Sequence, residues 1–251
     1  MYISENSAEG LHNFLSKAQF TTSRSIIVFT GAGMSAESGI STFRDKGGLW
    51  EEHDIEEVAT PQAWSRDREK VLDFYNMRRK QLLEVEPNKG HQIIAKMEKD
   101  FNLKVITQNI DDLHERAGSK KVLHLHGELR KSRSSLDENL IYPIEGSELK
   151  IGDKCEKGSQ LRPHVVWFGE MVPAMDEAID QLEDCGLMIV VGSSLMVYPA
   201  ASLVQMVETD CPVIVIDPDE VVAHAAGPLL HLACGASEGL EMLHSVLKSF
   251  W

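Results

Sequence analysis

Two histidines, His124 and His126, are the side chains of this sequence best suited to proton transfer near neutral pH, and they flank Leu125 in the segment LHLHG. Strand alternation would place both imidazole rings on one face of a β-strand and Leu125 on the other. Gly127 lets the chain turn away and leaves His126 exposed at the strand end. His126 is therefore a candidate general base, with a hydrogen-bonded structural histidine as the alternative.

A glycine motif indicates a second kind of chemistry, the binding of phosphate groups. The apolar run Ile26–Thr30 leads into Gly31-x-Gly33-x-x-Ala36, the dinucleotide-binding pattern in its expected context between a strand and a helix. The glycines allow a tight turn, and the helix N–H groups can hold a pyrophosphate. A glycine turn that only packs the helix on the strand is the alternative.

The acidic residue that dehydrogenases place about 20 positions beyond these glycines, at the end of a second strand, has no clear counterpart. Glu51 and Glu52 lie near that distance, but no strand pattern precedes them. A loop containing Phe43-Arg44-Asp45 stands there instead. This difference predicts a nucleotide site that serves a reaction other than hydride transfer.

Polar residues follow three further apolar runs, at the ends where the strands of a parallel sheet open toward a ligand. Gln108-Asn109-Ile110-Asp111 follows Leu103–Thr107, Gly192-Ser193-Ser194 follows Leu187–Val191, and Asp217 ends Val213–Asp217. The first group would face the ligand crevice. Gly192-Ser193-Ser194 could hydrogen-bond a ribose or a phosphate, and Asp217 could bind a ribose hydroxyl. The alternatives are a helix cap at Asp111 and a simple turn at Asp217.

Two other segments could contact a substrate. Tyr75 and Arg78 lie at i and i+3 of a predicted helix and share a face, so they form either a carboxylate clamp or a solvated surface pair. Residues 162–170 (RPHVVWFGE) indicate a strand that ends at Gly169. This strand is either part of the core, which the sequence favours, or an edge that binds a peptide by strand addition.

Short β-branched runs alternate with helical patterns, which predicts an α/β fold with a parallel sheet covered on both faces. The predicted strands are Ile26–Thr30, Leu103–Thr107, Leu187–Val191 and Val213–Asp217. The predicted helices are Glu9–Lys17, Arg68–Leu83, His91–Lys99, Met175–Leu182, Ala200–Val207 and Ser237–Leu247.

Two polar stretches, at about residues 44–90 and 128–162, interrupt this alternation. We predict that they form a smaller inserted domain. The remainder, about residues 1–43, 91–127 and 163–251, forms a Rossmann-like large domain, and the two parts make up one functional unit over 1–251. A cleft between the parts, beside the carboxyl ends of the strands, is the expected ligand site.

The composition is that of a folded globular protein, because 43% of the 251 residues are hydrophobic and 25% are charged. The 25 Lys and Arg against 39 Asp and Glu give a net charge of −14. So acidic a protein is a poor non-specific ligand for nucleic acid or an anionic membrane, and we expect neither as a partner. Its field favours basic, Lys-rich peptides instead.

Four well-separated cysteines without a C-x-x-C pair predict free thiols in a reducing, cytoplasmic setting. The first 20 residues lack the pattern of a signal peptide. Gly186–Val207 is uncharged and long enough to span a bilayer. Gly192 and Pro199 within it predict a strand, a loop and a helix instead.

Five segments together resemble the sirtuins, the NAD-dependent protein deacylases, and they occur in that family's order. They are GAGMSAESGISTFR, TQNIDDLHERAG, LHLHG, RPHVVWFGE and GSSLMVYPA, and the similarity extends from about Ile26 to Leu243. The resemblance implies NAD as the cofactor and acylated lysine side chains of proteins or peptides as the substrate.

The resemblance also implies roles for individual residues. Those implied to bind NAD are Gly31, Ala32, Gly33, Ser35, Phe43, Arg44, Gln108, Asn109, Ile110, Asp111, Gly192, Ser193, Ser194, Asp217 and Ala236. Asn109 and Asp111 also belong to the implied catalytic set, with His126 as the general base. Val166, Phe168 and Gly169 are implied to pair with the backbone of the substrate peptide.

In the chemistry that the resemblance implies, the acyl-lysine carbonyl oxygen attacks the nicotinamide ribose carbon and nicotinamide leaves. His126 deprotonates a ribose hydroxyl, and the products are lysine and 2′-O-acyl-ADP-ribose. Tyr75 and Arg78 resemble the Y-x-x-R pair of the desuccinylase and demalonylase subgroup, which binds the distal carboxylate of the acyl group. A buried carboxylate needs such a charged, hydrogen-bonded partner.

The chain departs from the family's pattern at the structural zinc. Most sirtuins carry two cysteine pairs, whereas this chain has serines at 132, 134 and 135 and only Cys155 of the second pair. One thiolate cannot complete a tetrahedral site, so we predict no zinc and no other metal. We expect Arg133, Asp153, Lys154 and Glu156 to supply hydrogen bonds in its place.

Two smaller departures concern the nucleotide site. Asp217 stands where many sirtuins have Asn, which is expected to change affinity without stopping the chemistry. Ser41 replaces a common proline and is expected to loosen the loop before Phe43.

Three other functions stay open on the sequence alone. An NAD or ADP-ribose sensor would bind without turnover, an ADP-ribosyltransferase would label its target protein, and a dehydrogenase would reduce its cofactor. The intact His126, Asn109 and Asp111 favour a deacylase over a sensor. Release of nicotinamide in the presence of an acyl-peptide separates these two.

Overall fold

The computed structural model describes residues 2–4, 6–18, 20, 25–42 and 54–250. The predicted loop with Phe43 and Arg44, and likewise Glu51 and Glu52, lies outside the described residues.

The larger sheet of the described residues has seven strands, all paired in parallel. They are β1 (Tyr2–Ser4), β2 (Ser25–Thr30), β3 (Leu103–Thr107), β4 (Val122–His124), β8 (Cys185–Val191), β9 (Val213–Ile216) and β10 (Leu229–Leu232). Their order is β1-β10-β9-β8-β2-β3-β4. The predicted α/β fold with a Rossmann-like parallel sheet is confirmed.

The chain changes its direction of winding between β2 and β8. From β2 it continues to β3 and β4 on one side, whereas β8, β9 and β10 extend the sheet on the other. At the carboxyl ends of this central pair, Thr30 lies beside Val191. A crevice forms outside such a switch point because the connections leave in opposite directions. The loops after Thr30 and Val191 therefore face a ligand site.

Helices cover both faces of this sheet, as continuous apolar strands require. In β2, Ile26 and Val28 pack into one core cluster, and Ile27 and Phe29 pack into another. The described helices are α1 (Ala8–Lys17), α2 (Gly33–Ala36), α3 (Ile55–Val58), α4 (Pro61–Arg66), α5 (Arg68–Glu84), α6 (Lys89–Asp100), α7 (Leu113–Ala117), α8 (Met175–Leu182), α9 (Leu203–Met206) and α10 (Ala236–Leu247). Short 3₁₀ turns precede α9 at Ala200–Ser202 and follow α10 at Lys248–Phe250.

The predicted helices agree with these bounds to within two residues, except that Ala200–Val207 divides into a 3₁₀ turn and α9. The four predicted apolar strands, which are β2, β3, β8 and β9, also agree to within two residues. The strands β1 and β10, of three and four residues, were missed. Such short runs do not stand out from the surrounding sequence.

A second, antiparallel sheet contains β5 (Gly127–Ser134), β6 (Ile141–Pro143) and β7 (Leu161–Val165), in the order β6-β5-β7. A third core cluster, which includes Trp64 and Leu129, joins this sheet to α3, α4 and α5. The sequence indicated no strand within residues 128–162, because these strands are polar and separated by turns. The division of the chain into a large and a small domain stays a prediction.

Two strands end earlier than predicted. β4 ends at His124, and Leu125 and His126 form a turn, so the two histidines do not share a strand face. β7 ends at Val165 rather than at Gly169, because the Val166 and Phe168 N–H groups bond to other parts of the chain and Gly169 has a φ of +89°.

None of the helices in the described part of the chain is long and apolar enough to cross a membrane. The uncharged segment Gly186–Val207 contains most of β8, a loop, the 3₁₀ turn and α9.

Candidate active site

A cavity of about 450 Å³ opens outside the switch point. Its walls come from the loops after β2, β3, β8 and β9, from α5 and from the segment after β7. Every predicted site residue among the described ones lines it. These are Gly31, Ala32, Gly33, Ser35, Tyr75, Arg78, Gln108, Asn109, Ile110, Asp111, His126, Val166, Phe168, Gly169, Gly192, Ser193, Ser194, Asp217 and Ala236.

The glycine loop after β2 packs directly on the loop after β8. The Gly31 N–H donates to the Val191 carbonyl oxygen at 3.0 Å, and the Gly33 N–H donates to that of Gly192 at 2.9 Å. Gly192 has a φ of +59°, and a Cβ there would lie 2.2 Å from the Met34 nitrogen. The glycines thus permit the close approach of two backbones. The N–H groups of Gly31 and Gly33 already donate hydrogen bonds within the protein, so a phosphate would bind the other polar groups of these loops.

The loop after β3 is tied to two neighbours. The Gln108 side-chain amide donates to the Ser193 hydroxyl at 2.8 Å, which connects the loops after β3 and β8. The Ile110 carbonyl oxygen accepts a 2.7 Å hydrogen bond from the Leu129 N–H of β5. These bonds hold Gln108 and Ile110 in the cavity wall.

The Ser35 hydroxyl connects the two polar side chains that follow β3. It donates to the Asp111 carboxylate at 2.9 Å and accepts from the Asn109 amide at 3.1 Å. Asn109 also donates to the Gly31 carbonyl oxygen at 3.0 Å. Asp111 accepts from the N–H of Leu113, the first residue of α7, at 3.2 Å, although the N-cap position of that helix is Asp112. Burial raises the pKa of Asp111, and these hydrogen bonds oppose the shift.

His126 has one ring nitrogen bonded to the backbone. Its Nδ1 lies 3.0 Å from the Gln108 carbonyl oxygen. A carbonyl only accepts, so Nδ1 carries the hydrogen and Nε2 is the acceptor of the neutral ring. Burial lowers the pKa of His126, and the bond to Gln108 partly opposes this. A neutral imidazole with a basic Nε2 is the form that a general base requires.

His124 is held by contacts within the protein at both ring nitrogens. Its Nδ1 lies 2.9 Å from the Asn109 carbonyl oxygen, and its Nε2 lies 2.8 Å from the Glu115 carboxylate. Burial lowers the pKa of His124, but the Glu115 carboxylate outweighs burial and raises it overall. His124 therefore positions the backbone of Asn109.

Tyr75 and Arg78 are buried in the cavity wall, with exposed fractions of 4% and 6%. The alternative of a solvated surface pair is wrong. Burial raises the pKa of Tyr75, which keeps it a neutral phenol. Burial lowers the pKa of Arg78, and the neighbouring Tyr75 and Asp111 oppose that shift. A guanidinium and a phenol thus lie side by side near the Asp111 carboxylate.

The segment after β7 reaches the cavity without forming a strand. The Val166 N–H donates to the His126 carbonyl oxygen at 2.9 Å, and the Phe168 N–H donates to that of Ala59 at 3.0 Å. A substrate backbone that pairs with Val166 or Phe168 would therefore bind their carbonyl oxygens.

Asp217 follows β9, and Ala236 begins α10. The Asp217 carboxylate accepts a 3.0 Å hydrogen bond from the Asp219 N–H, so the predicted turn is present at a residue that also lines the cavity. Glu37, which the sequence did not single out, accepts from the Ser237 N–H at 3.1 Å and from the Ser237 hydroxyl. This carboxylate satisfies a donor in the first turn of α10.

Sequence reasoning also missed a buried cluster beside Tyr75, formed by Arg162, Trp167 and Glu170. The Trp167 indole N–H donates to the Tyr75 hydroxyl at 3.0 Å. A signal was present in RPHVVWFGE, where an arginine, a tryptophan and a glutamate interrupt an apolar run.

The position expected for a structural zinc contains a hydrogen-bonded group of two hydroxyl side chains and one thiol. The Ser134 and Ser159 hydroxyls lie 2.7 Å apart, and the Cys155 Sγ lies 3.1 Å from the Ser159 Oγ and 3.5 Å from the Ser134 Oγ. Within the described ranges, no three His, Cys, Asp or Glu side chains are placed to hold a metal ion. These donors do not fit a tetrahedral zinc site.

Three of the residues expected to supply hydrogen bonds in place of the zinc form them with other partners than this group. Arg133 donates to Glu170 at 3.2 Å, the Asp153 carboxylate accepts from the Lys150 N–H at 2.7 Å, and Glu156 accepts from the Tyr142 hydroxyl. Lys154 forms an isolated bridge with Gln160. Whether these bonds take over the role of the metal stays a prediction.

The Sir2 family model matches residues 31–199. An NAD-dependent protein deacylase of Bacteroides thetaiotaomicron is 52% identical over 229 residues, which are 89% of this chain and 98% of that protein. An NAD-dependent protein deacylase of Helicobacter pylori is 54% identical over 201 residues, which are 80% of this chain and 87% of that protein.

Solved structures share the fold over nearly all of the chain. A crystal structure of a Sir2 homologue in complex with NAD has a TM-score of 0.85 and 40% identity, and covers 100% of this chain and 98% of its own. A mutant Sir2 homologue in complex with ADP ribose has a TM-score of 0.84 and 41% identity, with 95% and 96% covered. The family model spans more than half of the chain and the relatives most of it, so the chain belongs to the Sir2 family.

Proposed function

We propose that this NAD-dependent protein deacylase acts on lysine side chains that carry acetyl or acidic acyl groups, with a preference for succinyl and malonyl. The products are nicotinamide, 2′-O-acyl-ADP-ribose and the free lysine. The single observation that carries the preference is the burial of Arg78 beside Tyr75 in the wall that also contains His126 and Asn109.

The polar groups along the walls of the cavity suit NAD. Backbone and hydroxyl groups at Gly31–Gly33 and Gly192–Ser194 would hold phosphate and ribose, and Asp217 and Ala236 would lie near the adenine. Asn109 and Asp111 would hold the nicotinamide and its ribose, oriented by Ser35, to which both are hydrogen-bonded. Bound NAD supplies an electrophilic ribose carbon and a leaving group.

His126 would accept a proton from a ribose hydroxyl. The hydrogen on Nδ1 stays bound to the Gln108 carbonyl oxygen, so only Nε2 can receive the proton. The same hydrogen bond to Gln108 that fixes this tautomer also fixes the orientation of the imidazole ring. Rate contributions of about 10²–10⁴-fold are typical of such a positioned base.

The acyl group would lie against α5. A buried guanidinium forms strong, charge-assisted hydrogen bonds with a carboxylate, which a succinyl or malonyl group carries and an acetyl group does not. The guanidinium of Arg78 presents two parallel donors to a carboxylate, and the Tyr75 hydroxyl adds a third. Preference for an acidic acyl group follows from this pairing.

The remaining expectations are part of the same proposal. Acylated proteins or peptides are the partners, and a net charge of −14 disfavours nucleic acid and anionic membranes. The four cysteines are buried and form no disulfide, which supports a reducing, cytoplasmic location. The Ser134, Cys155 and Ser159 group supports a small domain that needs no zinc.

Turnover by mass spectrometry tests the proposal. One lysine peptide is supplied in acetylated and in succinylated form, each with and without NAD. NAD-dependent loss of succinyl that exceeds loss of acetyl is the expected result. Loss of acetyl alone would refute the preference, and NAD binding without nicotinamide release would indicate a sensor. A mass increase on the target protein would indicate an ADP-ribosyltransferase.

A further inference from the structure

Trp167 sets the hydrogen-bonding role of the Tyr75 hydroxyl. The indole N–H of Trp167 donates to the Tyr75 oxygen at 3.0 Å, and the two side chains are only 2% and 4% exposed. An indole N–H can only donate, so the phenol must accept in this pair. Among the described residues, none accepts the phenol's own hydrogen. That hydrogen is therefore available to a ligand in the cavity that Tyr75 lines.

Trp167 is itself held on two sides. The Arg162 guanidinium carbon lies 3.2 Å from the centroid of the Trp167 ring, which places the planar cation against the aromatic face. The Glu170 carboxylate accepts the Trp167 backbone N–H at 2.8 Å. Both the ring and the backbone of Trp167 are thus fixed by neighbouring residues.

Glu170 is bonded both to Arg162 and to the backbone of Trp167. Its two oxygens accept from Arg162 at 2.7 and 3.0 Å, in the bidentate geometry typical of a strong guanidinium–carboxylate pair. Arg133 adds a further bond at 3.2 Å. Arg162 and Glu170 have low exposure, so this pair is rigid compared with a surface ion pair.

The direction of the chain of hydrogen bonds favours an anionic ligand. A carboxylate only accepts, so it matches a phenol whose oxygen already accepts from Trp167 and whose hydrogen remains to be donated. A donor that already accepts a hydrogen bond is also polarised into a stronger donor. A neutral acetyl group has no atom that reaches beyond its methyl to use this hydrogen.

We propose that Trp167, anchored by Arg162 and Glu170, is a positioning residue that sets acyl specificity by fixing the Tyr75 hydroxyl as a donor toward the acyl carboxylate. The proposal rests on the acyl preference proposed above. It assigns Trp167 a role through Tyr75 rather than a direct contact with the reacting atoms.

Trp167→Phe tests this by removing the N–H while keeping an aromatic ring. We expect kcat/KM for a succinyl-lysine peptide to fall about tenfold, the scale of one hydrogen bond to a charged group, mostly through KM. We expect kcat/KM for the acetylated peptide to change less than about twofold. The matched control is Trp64→Phe. Trp64 packs 5.8 Å from Trp167, centroid to centroid, but outside the cavity lining, and its loss should leave the succinyl-to-acetyl ratio unchanged.

A double-mutant comparison separates positioning from a general structural effect. If Trp167 acts through the Tyr75 hydroxyl, Tyr75→Phe combined with Trp167→Phe should lower the succinyl-to-acetyl ratio no further than Tyr75→Phe alone. Additive losses would overturn the proposal, as would an unchanged ratio in Trp167→Phe. If Trp167→Phe does not fold, Glu170→Gln is the second variant, because it keeps the indole and weakens the contacts that hold it. A succinyl-to-acetyl ratio in Glu170→Gln that equals the wild-type ratio would also overturn the proposal.

Arg78→Met tells this inference apart from the acyl preference itself. If Arg78→Met leaves the ratio unchanged, the preference proposed above fails. If Arg78→Met abolishes the preference while Trp167→Phe has no effect, only the role of Trp167 fails.

Discussion

The Nδ1 atom of His126 lies 3.0 Å from the carbonyl oxygen of Gln108, and this bond leaves Nε2 as the only basic nitrogen of the ring. Gln108 also donates to the Ser193 hydroxyl. One residue thus connects the candidate base to the loop after β8, on the other side of the switch point.

Replacing His126 with Ala should lower turnover by about 10²-fold or more, because a positioned general base contributes on that scale. NAD binding should stay largely intact, since the Gln108 contact uses the backbone. Turnover of an acyl-peptide and calorimetric titration with NAD measure the two effects. His224→Ala, at an exposed position outside the cavity lining, is the control. Loss of NAD binding would instead identify His126 as a structural residue.

The pH dependence of turnover follows from the same group. A general base works when it is unprotonated, so activity is present above its pKa and is lost as pH falls through it. Burial lowers the pKa of His126 from an ordinary value of about 6.5. The acid limb of kcat/KM should therefore have its midpoint below that value. A midpoint above about 6.5 would contradict a neutral, buried imidazole as the base.

Replacing Arg78 with Met should reduce desuccinylation far more than deacetylation. A lost hydrogen-bonded contact to a buried carboxylate costs about 1.5–3 kcal/mol, or about 10- to 150-fold in kcat/KM. Lys80→Met removes an exposed cation from the same helix and should leave both activities near wild type. Equal losses on succinylated and acetylated peptides in Arg78→Met would refute the carboxylate clamp.

Four of the parallel strands, β2, β3, β8 and β9, could be predicted because each is a largely apolar and buried run. The same pattern located the polar side chains of the site, since parallel strands collect their carboxyl ends at one edge of the sheet. The small antiparallel sheet could not be predicted in this way, because its strands are polar and short. The Trp167–Tyr75 hydrogen bond could not be predicted either, since 92 residues separate its partners and no local periodicity relates them.

The turn at Leu125 and His126 shows a different limit. Alternation predicted one strand through both histidines, but β4 ends at His124, where Glu115 and the Asn109 backbone bind its ring. The contacts of the His124 ring with Glu115 and Asn109 thus end a strand that the alternation of the sequence would extend to His126.

The small antiparallel sheet and its connections should be stable without metal. The Ser134 hydroxyl bonds to Ser159, lies against Cys155 and accepts the N–H groups of Leu136 and Asp137. Ser134→Ala should therefore lower the free energy of unfolding by about 1–3 kcal/mol, the cost of leaving buried polar groups unpaired. Ser135→Ala, whose hydroxyl is outside this group, is the control. A strong chelator should leave the midpoint of thermal unfolding of the wild type unchanged. A chelator-dependent drop, with about one zinc per chain by elemental analysis, would refute the prediction.

The contact between the loops after β2 and β8 should tolerate no side chain at Gly192. An alanine there would place its Cβ 2.2 Å from the Met34 nitrogen, at a φ of +59°. Gly146 also has a positive φ, +73°, but nothing lies within 4 Å of a Cβ at that position. Gly146→Ala should lower the free energy of unfolding by about 1–2 kcal/mol, the cost of a left-handed backbone at a residue with a side chain. Gly192→Ala adds a steric clash that costs about 1–3 kcal/mol more.

Urea unfolding measures the stability of both variants. NAD titration of Gly192→Ala should also show a loss of affinity, because the displaced backbone lines the cavity. Equal stabilities for the two variants would mean that the loops can separate without cost, and the tight packing of the switch point would then play no part in shaping the site.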